Sequence, residues 1–312
     1  MNQITLKSAQ GEFWLSVIKA IIIIALIAFI IQPSSAASLK QSSKIAGVQV
    51  GTITYSYRSM PDQTIKGILH YAIQSGLSSV ELMGGAVEEY AGIPQVKDPE
   101  IIKKWRSTVS MDKFKEIRKM FNDKGVKINI LKLGDKSWSD PEIDYAFNAA
   151  KTLGAIGITM EISEDAAKRM EPFAAKHHMF AIFHNHGQPG DPKFSFDRVL
   201  ALGSHLRLNL DCGHYFGATG LDPTLIIERL HNRIVSLHLK DKTGPKDSDP
   251  NKNQVWGNGK TPIGKILRLV QKKKYPIECD IELEYTVPAS SDAVKEVAIC
   301  LEYCRAALLP KK

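Results

Sequence analysis

The stretch LRLNLDCGH, Leu206–His214, decides the fold that we predict for this chain. It is typical of a short apolar strand that stops on Asp211, with His214 three residues further on. A buried strand that delivers a carboxylate at its C-terminal end is a common way to place a metal ligand at the mouth of a parallel barrel. The alternative is that Asp211 only caps the following turn, which is also a frequent role of Asp.

Three other apolar runs end on a residue that can bind a metal ion or a proton. These runs are Ile156–Glu161 (IGITME), Ile234–Lys240 (IVSLHLK) and Ile277–Glu282 (IECDIE). Taken singly, a Glu at a strand end is usually a solvated rim residue, and His238 could be a core histidine. If the four strands are parallel, however, their C-terminal ends share one rim. The C-terminal ends of these four strands then predict one site that contains Glu161, Asp211, His238 and Glu282.

Strand-like and helix-like segments alternate along the rest of the chain. The predicted strands are Ile45–Val50, Ser79–Leu82, Val126–Leu131, Ile156–Glu161, Met179–His186, Leu206–Asp211, Ile234–Lys240 and Ile277–Glu282. Loops rich in Gly or polar residues are expected at Gly84–Pro99 and Asp241–Lys260. Eight strand–helix units, with no Gly-x-Gly-x-x-Gly after the first strand, favour an α/β fold of the (β/α)8 TIM-barrel type over an open dinucleotide-binding sheet.

The N-terminus has the order of a secretory signal. Lys7 and Lys19 precede the apolar run Ala20–Ile31, and small residues follow up to Ala37. We expect cleavage after Ala37, which makes residues 1–37 a signal peptide, residues 38–312 one catalytic domain and the location periplasmic or secreted. An uncleaved anchor is the alternative, but Lys19 interrupts the longer apolar run that a span needs.

The cysteines and the net charge exclude two classes of protein. The four cysteines, Cys212, Cys279, Cys300 and Cys304, have no Cys-x-x-Cys spacing, so we expect buried free thiols rather than a zinc ribbon or a disulfide framework. The formal charge of +8 is diffuse, and its densest run, Lys272–Lys274, is typical of a solvated helix end. We therefore expect no nucleic-acid partner, and contact with a membrane only through the signal segment.

Three carboxylates and one imidazole form an oxygen-rich anionic site. Such ligands suit Mn²⁺, Mg²⁺ or Co²⁺ better than Zn²⁺. A bound cation would polarise a substrate carbonyl, and a carboxylate on each side could remove and return a proton. The run His184-Asn185-His186 adds two imidazoles at the tip of another strand. Alternation would turn both toward the site, although packing against neighbouring strands explains them equally well.

Over Lys44–Leu309 the sequence resembles the xylose isomerase-like barrels, the sugar phosphate isomerase/epimerase superfamily. The resemblance is carried by KIAGVQVGT, SSVELMG, ITMEIS, AIFHNHG, LNLDCGHYFGATGLDP, IVSLHLKDK, WGNGKTPIGKIL and ECDIELEY. It implies that Glu161, Asp211, His238 and Glu282 hold one divalent cation. It also implies that Glu161 and Glu282 carry protons and that His214 contacts substrate. The further substrate-binding candidates are His184, His186, Lys240 and Trp256.

The predicted function is a secreted, metal-dependent sugar isomerase or epimerase that works through an enediolate. A lyase or hydratase acting on 3-keto-glycosides through the same enolate is one alternative, and a catalytically inactive carbohydrate-binding barrel is another. We expect a small, unphosphorylated carbohydrate, because no Gly-rich or Arg-rich phosphate cradle is evident, and we leave homo-oligomerisation open. The abasic-DNA endonuclease branch of the superfamily is excluded, because the additional histidines that it needs are absent from the segments Glu81-Leu-Met-Gly and Leu131-Lys-Leu-Gly.

Overall fold

The structure, a computed structural model, describes residues 42–310, and within them eight parallel strands close into a barrel. Eleven strands, including three short ones outside the barrel (β1, β9 and β10), are present in these residues: β1 Lys44–Ile45, β2 Val48–Ile53, β3 Ser79–Met83, β4 Lys127–Lys132, β5 Gly157–Glu161, β6 Phe180–His184, β7 Leu206–Asp211, β8 Ile234–Leu239, β9 Asp241–Lys242, β10 Asn253–Gln254 and β11 Glu278–Ile281. The barrel order is β2-β11-β8-β7-β6-β5-β4-β3, and pairing of β3 with β2 closes it. The predicted TIM barrel is confirmed.

Eleven α-helices follow the strands or lie in their connections within residues 42–310. They are α1 Ile65–Gln74, α2 Gly84–Ala91, α3 Pro99–Thr108, α4 Asp112–Asp123, α5 Asp140–Leu153, α6 Glu164–His177, α7 Phe196–Leu200, α8 Cys212–Thr219, α9 Pro223–Leu230, α10 Ile263–Lys273 and α11 Ala293–Leu308. None of these helices has the length and apolar content needed to cross a membrane. The predicted signal segment, residues 1–37, lies outside the described residues.

Local capping sets the ends of several helices. At the start of α5, Ser139 and Glu142 form a reciprocal capping box, and Gly154 ends the helix with a φ of 84°. Ser163 caps α6 by accepting a hydrogen bond from the backbone N–H of Ala166. α5 follows β4 and α6 follows β5 in the chain, and both strands contribute residues to the site, Lys132 and Glu161.

The first barrel strand begins three residues later than predicted. Ala46 and Gly47, with φ values of 47° and 93°, form a tight turn between β1 and β2. The predicted strand Ile45–Val50 therefore spans two antiparallel strands, and β2 continues to Ile53. The apolar alternation hid this turn, because an Ala in the left-handed region is unusual and gives no strong local signal.

The predicted loop Gly84–Pro99 is wrong in its first half, which forms α2. Tertiary contacts stabilise this helix: Val87 is buried in the core, and Glu88 accepts hydrogen bonds from Arg106 at 2.8 Å and Tyr145 at 3.1 Å. The predicted loop Asp241–Lys260 likewise contains a small hairpin, β9–β10. Such contacts override the weak helix propensity of a Gly-rich segment.

The barrel interior is polar rather than filled with branched aliphatic side chains. Glu81 on β3 contacts Thr159 on β5, Asn209 on β7 and His238 on β8. None of these three partner strands is a neighbour of β3 in the sheet, so the contacts of Glu81 must cross the inside of the barrel. The outward faces of the strands pack against the helices and form the hydrophobic core. All four cysteines are buried free thiols in this hydrophobic core, as predicted.

Candidate functional site

The site lies at the C-terminal ends of the barrel strands, and Asp211 has two roles in it. Its Oδ1 accepts the backbone N–H of His214 at 2.7 Å and so caps α8. Its Oδ2 lies 3.2 Å from His184 Nε2 and 2.8 Å from Lys240 Nζ. Asp211 therefore caps α8 through one oxygen, as one of the two interpretations from sequence had it, and its other oxygen faces His184 and Lys240; its role as a metal ligand stays a prediction.

Four buried residues could hold one metal ion. They are His184, Asp211, His238 and Glu282, each offering one ligand atom, and these atoms lie within 4.8 Å of one another. We call this set the central ligand group. It contains three of the four predicted ligands, and its fourth member is His184, which the sequence suggested as a substrate contact. Two imidazoles and two carboxylates at this spacing are a donor set that fits a divalent cation.

Glu161 lies beside the central ligand group rather than in it. Its side chain is 51% exposed and contacts His186 Nδ1 at 2.9 Å, Lys132 Nζ at 3.1 Å and His184 Nδ1 at 3.6 Å. Burial acts to raise the pKa of Glu161, but the neighbouring imidazoles and the ammonium of Lys132 outweigh it and hold this pKa well below its usual range. The structure thus places an ionised, accessible carboxylate next to His184.

Lys240 is buried among carboxylates, not directed toward open space. Its Nζ lies 2.6 Å from Glu282, 2.8 Å from Asp211 and 2.7 Å from Glu284. Burial would lower the pKa of Lys240, yet these three charges hold it above its ordinary value. The ammonium therefore contacts the same Asp211 and Glu282 that belong to the central ligand group, and it neutralises much of their charge.

His214 keeps one nitrogen free for a ligand. Its Nε2 is buried and has no hydrogen-bond partner among the described residues. Burial lowers the pKa of His214 to about 4, and the positive charges of Lys240 and Lys242 act in the same direction. The imidazole is therefore neutral at pH 7, and it can donate or accept a hydrogen bond to a bound molecule.

Two other predicted substrate contacts have different fates. His186 lies at the rim, half-exposed, with its ring 4.8 Å from the rings of both His184 and His214. Trp256 packs edge-on against Tyr303 of α11, at a centroid distance of 5.6 Å, and belongs to the hydrophobic core. The structure therefore brings His186 to the site and does not bring Trp256 there.

A groove of about 440 Å³ opens between the loops that follow β4 and β5, next to Glu161. Lys132 and Glu161 are polar residues of its wall, and its apolar surface includes Leu133, Met160, Ile162 and Ala166. A cavity of this size with a few polar groups is ordinary for a small-molecule site. It offers space for a part of a ligand that extends beyond the central ligand group.

Glu81 is a buried site residue that the sequence analysis did not select. Its Oε2 lies 2.8 Å from His238 Nε2, on the side of the ring opposite to Glu282. Burial would raise the pKa of Glu81, but His238 outweighs this effect and the pKa is lowered. The available signal was its place near the end of the run Ser79–Leu82, the same pattern that marked the other strand-end carboxylates.

Comparison with known proteins agrees with this architecture. Residues 157–304, from β5 into α11, match the family described as xylose isomerase-like TIM barrel. No curated protein sequence matches the chain. A sugar phosphate isomerase/epimerase from Parabacteroides distasonis superposes with a TM-score of 0.61 at 19% identity, covering 89% of this chain and 100% of that one.

Two further solved structures have the same fold. The probable 3-DHS dehydratase AsbF from Bacillus anthracis superposes with a TM-score of 0.59 at 14% identity, covering 82% of this chain and 98% of that one. The 3-keto-D-glucoside 4-epimerase of E. coli superposes with a TM-score of 0.58 at 12% identity, covering 83% of this chain and 99% of that one. At these identities the likeness concerns the fold, and it agrees with the family match. The chain therefore has the xylose isomerase-like TIM-barrel fold.

Proposed function

We propose that this protein is a secreted, metal-dependent isomerase or epimerase of a carbohydrate carbonyl compound. The observation that carries the proposal is the central ligand group with the ionised carboxylate of Glu161 beside it. The family match supports a barrel enzyme of this general kind, because TIM-barrel enzymes keep their chemistry at this rim. Secretion depends on the sequence of residues 1–37 alone.

The geometry favours His184 over Glu161 as the fourth ligand. His184 is buried within the central ligand group, whereas Glu161 is half-exposed and engaged with His186 and Lys132. Two imidazoles and two carboxylates suit Mn²⁺ or Co²⁺ better than Mg²⁺, which prefers oxygen ligands alone. When bound, the cation would polarise the substrate carbonyl and so acidify the neighbouring C–H bond.

Glu161 and Glu282 are the candidate proton carriers. They lie near opposite nitrogens of the His184 ring, at 3.6 Å and 3.9 Å. Glu161 is accessible and ionised, so it can take the proton next to the carbonyl and give the enediolate. His214 offers its free Nε2 to a substrate hydroxyl. Glu282 is buried and paired with His238 and Lys240, so its part in proton return needs a change in those contacts.

An unphosphorylated substrate fits the charge of this rim. Asp211, Glu282 and Glu284 cluster around one ammonium, Lys240, and Glu161 is paired with Lys132. Both lysines are thus already engaged with carboxylates. A phosphate placed beside these carboxylates would meet charges of its own sign, and like charges at close range cost several kcal/mol, on the order of 4 kcal/mol at 4 Å near a protein surface.

The groove beside Glu161 favours a second candidate, a lyase or hydratase acting on 3-keto-glycosides. In that reaction the enolate formed next to the 3-keto group expels the substituent β to the carbonyl. The groove offers an apolar surface, including Leu133, Met160 and Ile162, where such a substituent could lie. Among the structural neighbours are a 3-keto-D-glucoside 4-epimerase and a probable dehydratase, so both reaction types occur on this fold.

Solvent-deuterium incorporation separates these candidates. The purified chain, loaded with Mn²⁺, is incubated in D₂O with ketoses and with 3-keto-glycosides, and products are followed by NMR and mass spectrometry. Deuterium at the carbon next to the carbonyl without loss of the substituent supports an isomerase or epimerase. Release of the substituent supports the lyase. No exchange with either class, combined with carbohydrate binding, would support the inactive binding barrel and refute both enzymes.

A pair of variants tests the two carboxylates. We expect Glu161→Gln to keep cation binding and to lower turnover by about 10²- to 10⁴-fold, the contribution of a general acid–base group. Glu282→Gln should lower both turnover and cation binding, because Glu282 belongs to the central ligand group. Measuring bound Mn²⁺ by elemental analysis beside the rate distinguishes the two effects. Near-normal turnover in both variants would refute the assignment.

A further inference from the structure

His238 lies between two buried carboxylates, so a cation could in principle bind on either side of its ring. Its Nδ1 is 3.0 Å from Glu282 Oε2, and its Nε2 is 2.8 Å from Glu81 Oε2. On the Nδ1 side lies the central ligand group. On the Nε2 side lies a second set with ligand atoms within 4.8 Å, namely Glu81, His238 and Asp280, which we call the deep group.

The carboxylates of the deep group already have protein donors. Glu81 accepts the hydroxyl of Thr159 at 2.5 Å through Oε1 and the amide of Asn209 at 2.7 Å through Oε2. Asp280 Oδ2 accepts the hydroxyl of Ser236 at 2.6 Å. These donors are short side chains on barrel strands, so they cannot swing away without moving the strands. Asp280 Oδ1 has no partner among the described residues, but both oxygens of Glu81 are engaged, so a cation that bound to Glu81 would compete with Thr159 and Asn209.

The carboxylate oxygens of the central ligand group contact a flexible side chain, unlike the short donors of the deep group. Asp211 Oδ2 and Glu282 Oε2 both contact the ammonium of Lys240, at 2.8 Å and 2.6 Å. Lys240 is a long, flexible side chain that carries the same sign of charge as a metal ion. It can withdraw along its own stem and leave the two oxygens to a cation, while its contact with Glu284 at 2.7 Å is kept.

We infer that Glu81 is a positioning residue that holds the N–H of His238 on Nε2 and thereby makes Nδ1 the ligand atom. This inference rests on the proposed metal-dependent function. Both ring nitrogens face a carboxylate, but a cation bound in the central ligand group would take the place of a proton on Nδ1. The remaining proton then stays on Nε2, where Glu81 accepts it, and Nδ1 presents its lone pair to the cation.

The structure also explains why the orientation is firm. Glu81 is fully buried on β3, its three partners come from β5, β7 and β8, and the contacts span the barrel interior. The ring of His238 is therefore fixed by a carboxylate that is itself held on three sides. Partners of this kind orient metal-binding histidines, and their loss typically costs about 10- to 100-fold in metal affinity.

The variant Glu81→Gln tests the inference by metal binding. Gln keeps the shape, its amide oxygen can still accept from His238 and Asn209, and its NH₂ can donate to Thr159, so chiefly the charge is lost. Mn²⁺ is titrated into the metal-free full chain by calorimetry. We expect an affinity about 10- to 100-fold weaker than that of the wild type.

Asp280→Asn is the matched control, because it alters the other carboxylate of the deep group. We expect its Mn²⁺ affinity to stay within about threefold of the wild type, since Asp280 does not hold His238. If the cation instead bound in the deep group, both variants would lose affinity, and the inference would be overturned. An unchanged affinity in Glu81→Gln would also overturn it, and it would leave the proposed function intact.

A measurement on the wild-type chain removes any dependence on variant folding. The chain is prepared with isotope-labelled histidine and loaded with diamagnetic Zn²⁺, and nitrogen–proton NMR correlations report which ring nitrogen carries the proton. We expect His238 to be protonated on Nε2 and metal-bound through Nδ1. The reverse pattern would overturn the inference. If the wild type bound neither Mn²⁺ nor Zn²⁺, the proposed function would fail and this inference with it.

Discussion

Replacing Lys240 by Met tests whether an internal ammonium and a metal ion share one position. Lys240 is 2% exposed, and its Nζ contacts Asp211, Glu282 and Glu284 at 2.6–2.8 Å. Met has a similar apolar stem and no charge. In the metal-free protein the variant therefore leaves three carboxylates near one another without their shared cation.

The structure sets the size of the effect. At 2.7 Å, the Lys240–Glu284 distance, one such pair contributes about 6 kcal/mol at an effective dielectric constant of about 20. Desolvation of the charges offsets most of this attraction, and removing one partner from a buried pair typically costs about 3–5 kcal/mol. We therefore expect the free energy of unfolding of the metal-free protein to fall by about 3–5 kcal/mol.

Bound metal should remove part of that penalty. A cation between Asp211 and Glu282 supplies the positive charge that Lys240→Met lacks at these two carboxylates, so the lost contact with Glu284 and a packing difference below about 1.5 kcal/mol remain. By linkage, the recovered stability, about 1–3 kcal/mol, must then show up as tighter metal binding, by roughly 5- to 150-fold. The assay is urea unfolding with and without saturating Mn²⁺, together with calorimetric titration of Mn²⁺.

Lys242→Met is the control for this experiment. Lys242 is also buried, but its Nζ donates to Asn253 at 2.9 Å rather than to the carboxylates. Lys242→Met should change the free energy of unfolding by the same amount with and without metal. If Lys240→Met destabilised the two states equally and left the Mn²⁺ affinity unchanged, the ammonium and the metal ion would not compete for the same oxygens, and the reasoning would be refuted.

The remaining predictions concern His214 and Arg106. In Lys240→Met the pKa of His214, about 4 in the wild type, should rise toward its ordinary value, because a nearby positive charge is gone. NMR titration of the imidazole measures this pKa, and an unchanged value would mean that burial alone lowers the pKa of His214. Because this pKa is lower in the folded state, the unfolded chain binds the extra proton, and the wild type should lose stability as pH falls from about 6.5 to 4. His214→Gln should lose less of its free energy of unfolding across this pH range, as measured by urea unfolding. If stability fell with pH in parallel in the variant and the wild type, His214 would not be the group that titrates. Arg106→Met leaves Glu88 and Glu142, nearly buried at 2.8 and 3.2 Å from Arg106, without their cation, and it should lower the free energy of unfolding by about 2–4 kcal/mol. Lys103→Met on the same helix removes only an exposed pair with Glu100 and should cost less than about 1 kcal/mol. Equal effects of the two variants in thermal unfolding would argue against a stabilising Arg106–Glu88–Glu142 network.

Much of the fold was predictable from local features. Strands such as Leu206–Asp211 are apolar runs bounded by polar residues, and helices such as α5 carry their own capping box and terminal Gly. These signals act over a few residues, so a single sequence contains them. The helix α2 ends at Gly92 but has no capping side chain at its start. Contacts with Arg106 and Tyr145, which lie 18 and 57 residues beyond Glu88, stabilise it, and a local pattern does not contain them.

The sequence alone determined that acidic and imidazole side chains end several strands of a barrel, and hence that a site forms at one rim. Only the tertiary structure decided which of them meet. Glu161 and His184 are register partners at the ends of β5 and β6, yet only His184 joins the central ligand group. The contact of Glu81 with His238 crosses the barrel interior. Both results depend on the tilt and stagger of strands around a closed barrel, which are set jointly by all eight strands and are not encoded in any one segment.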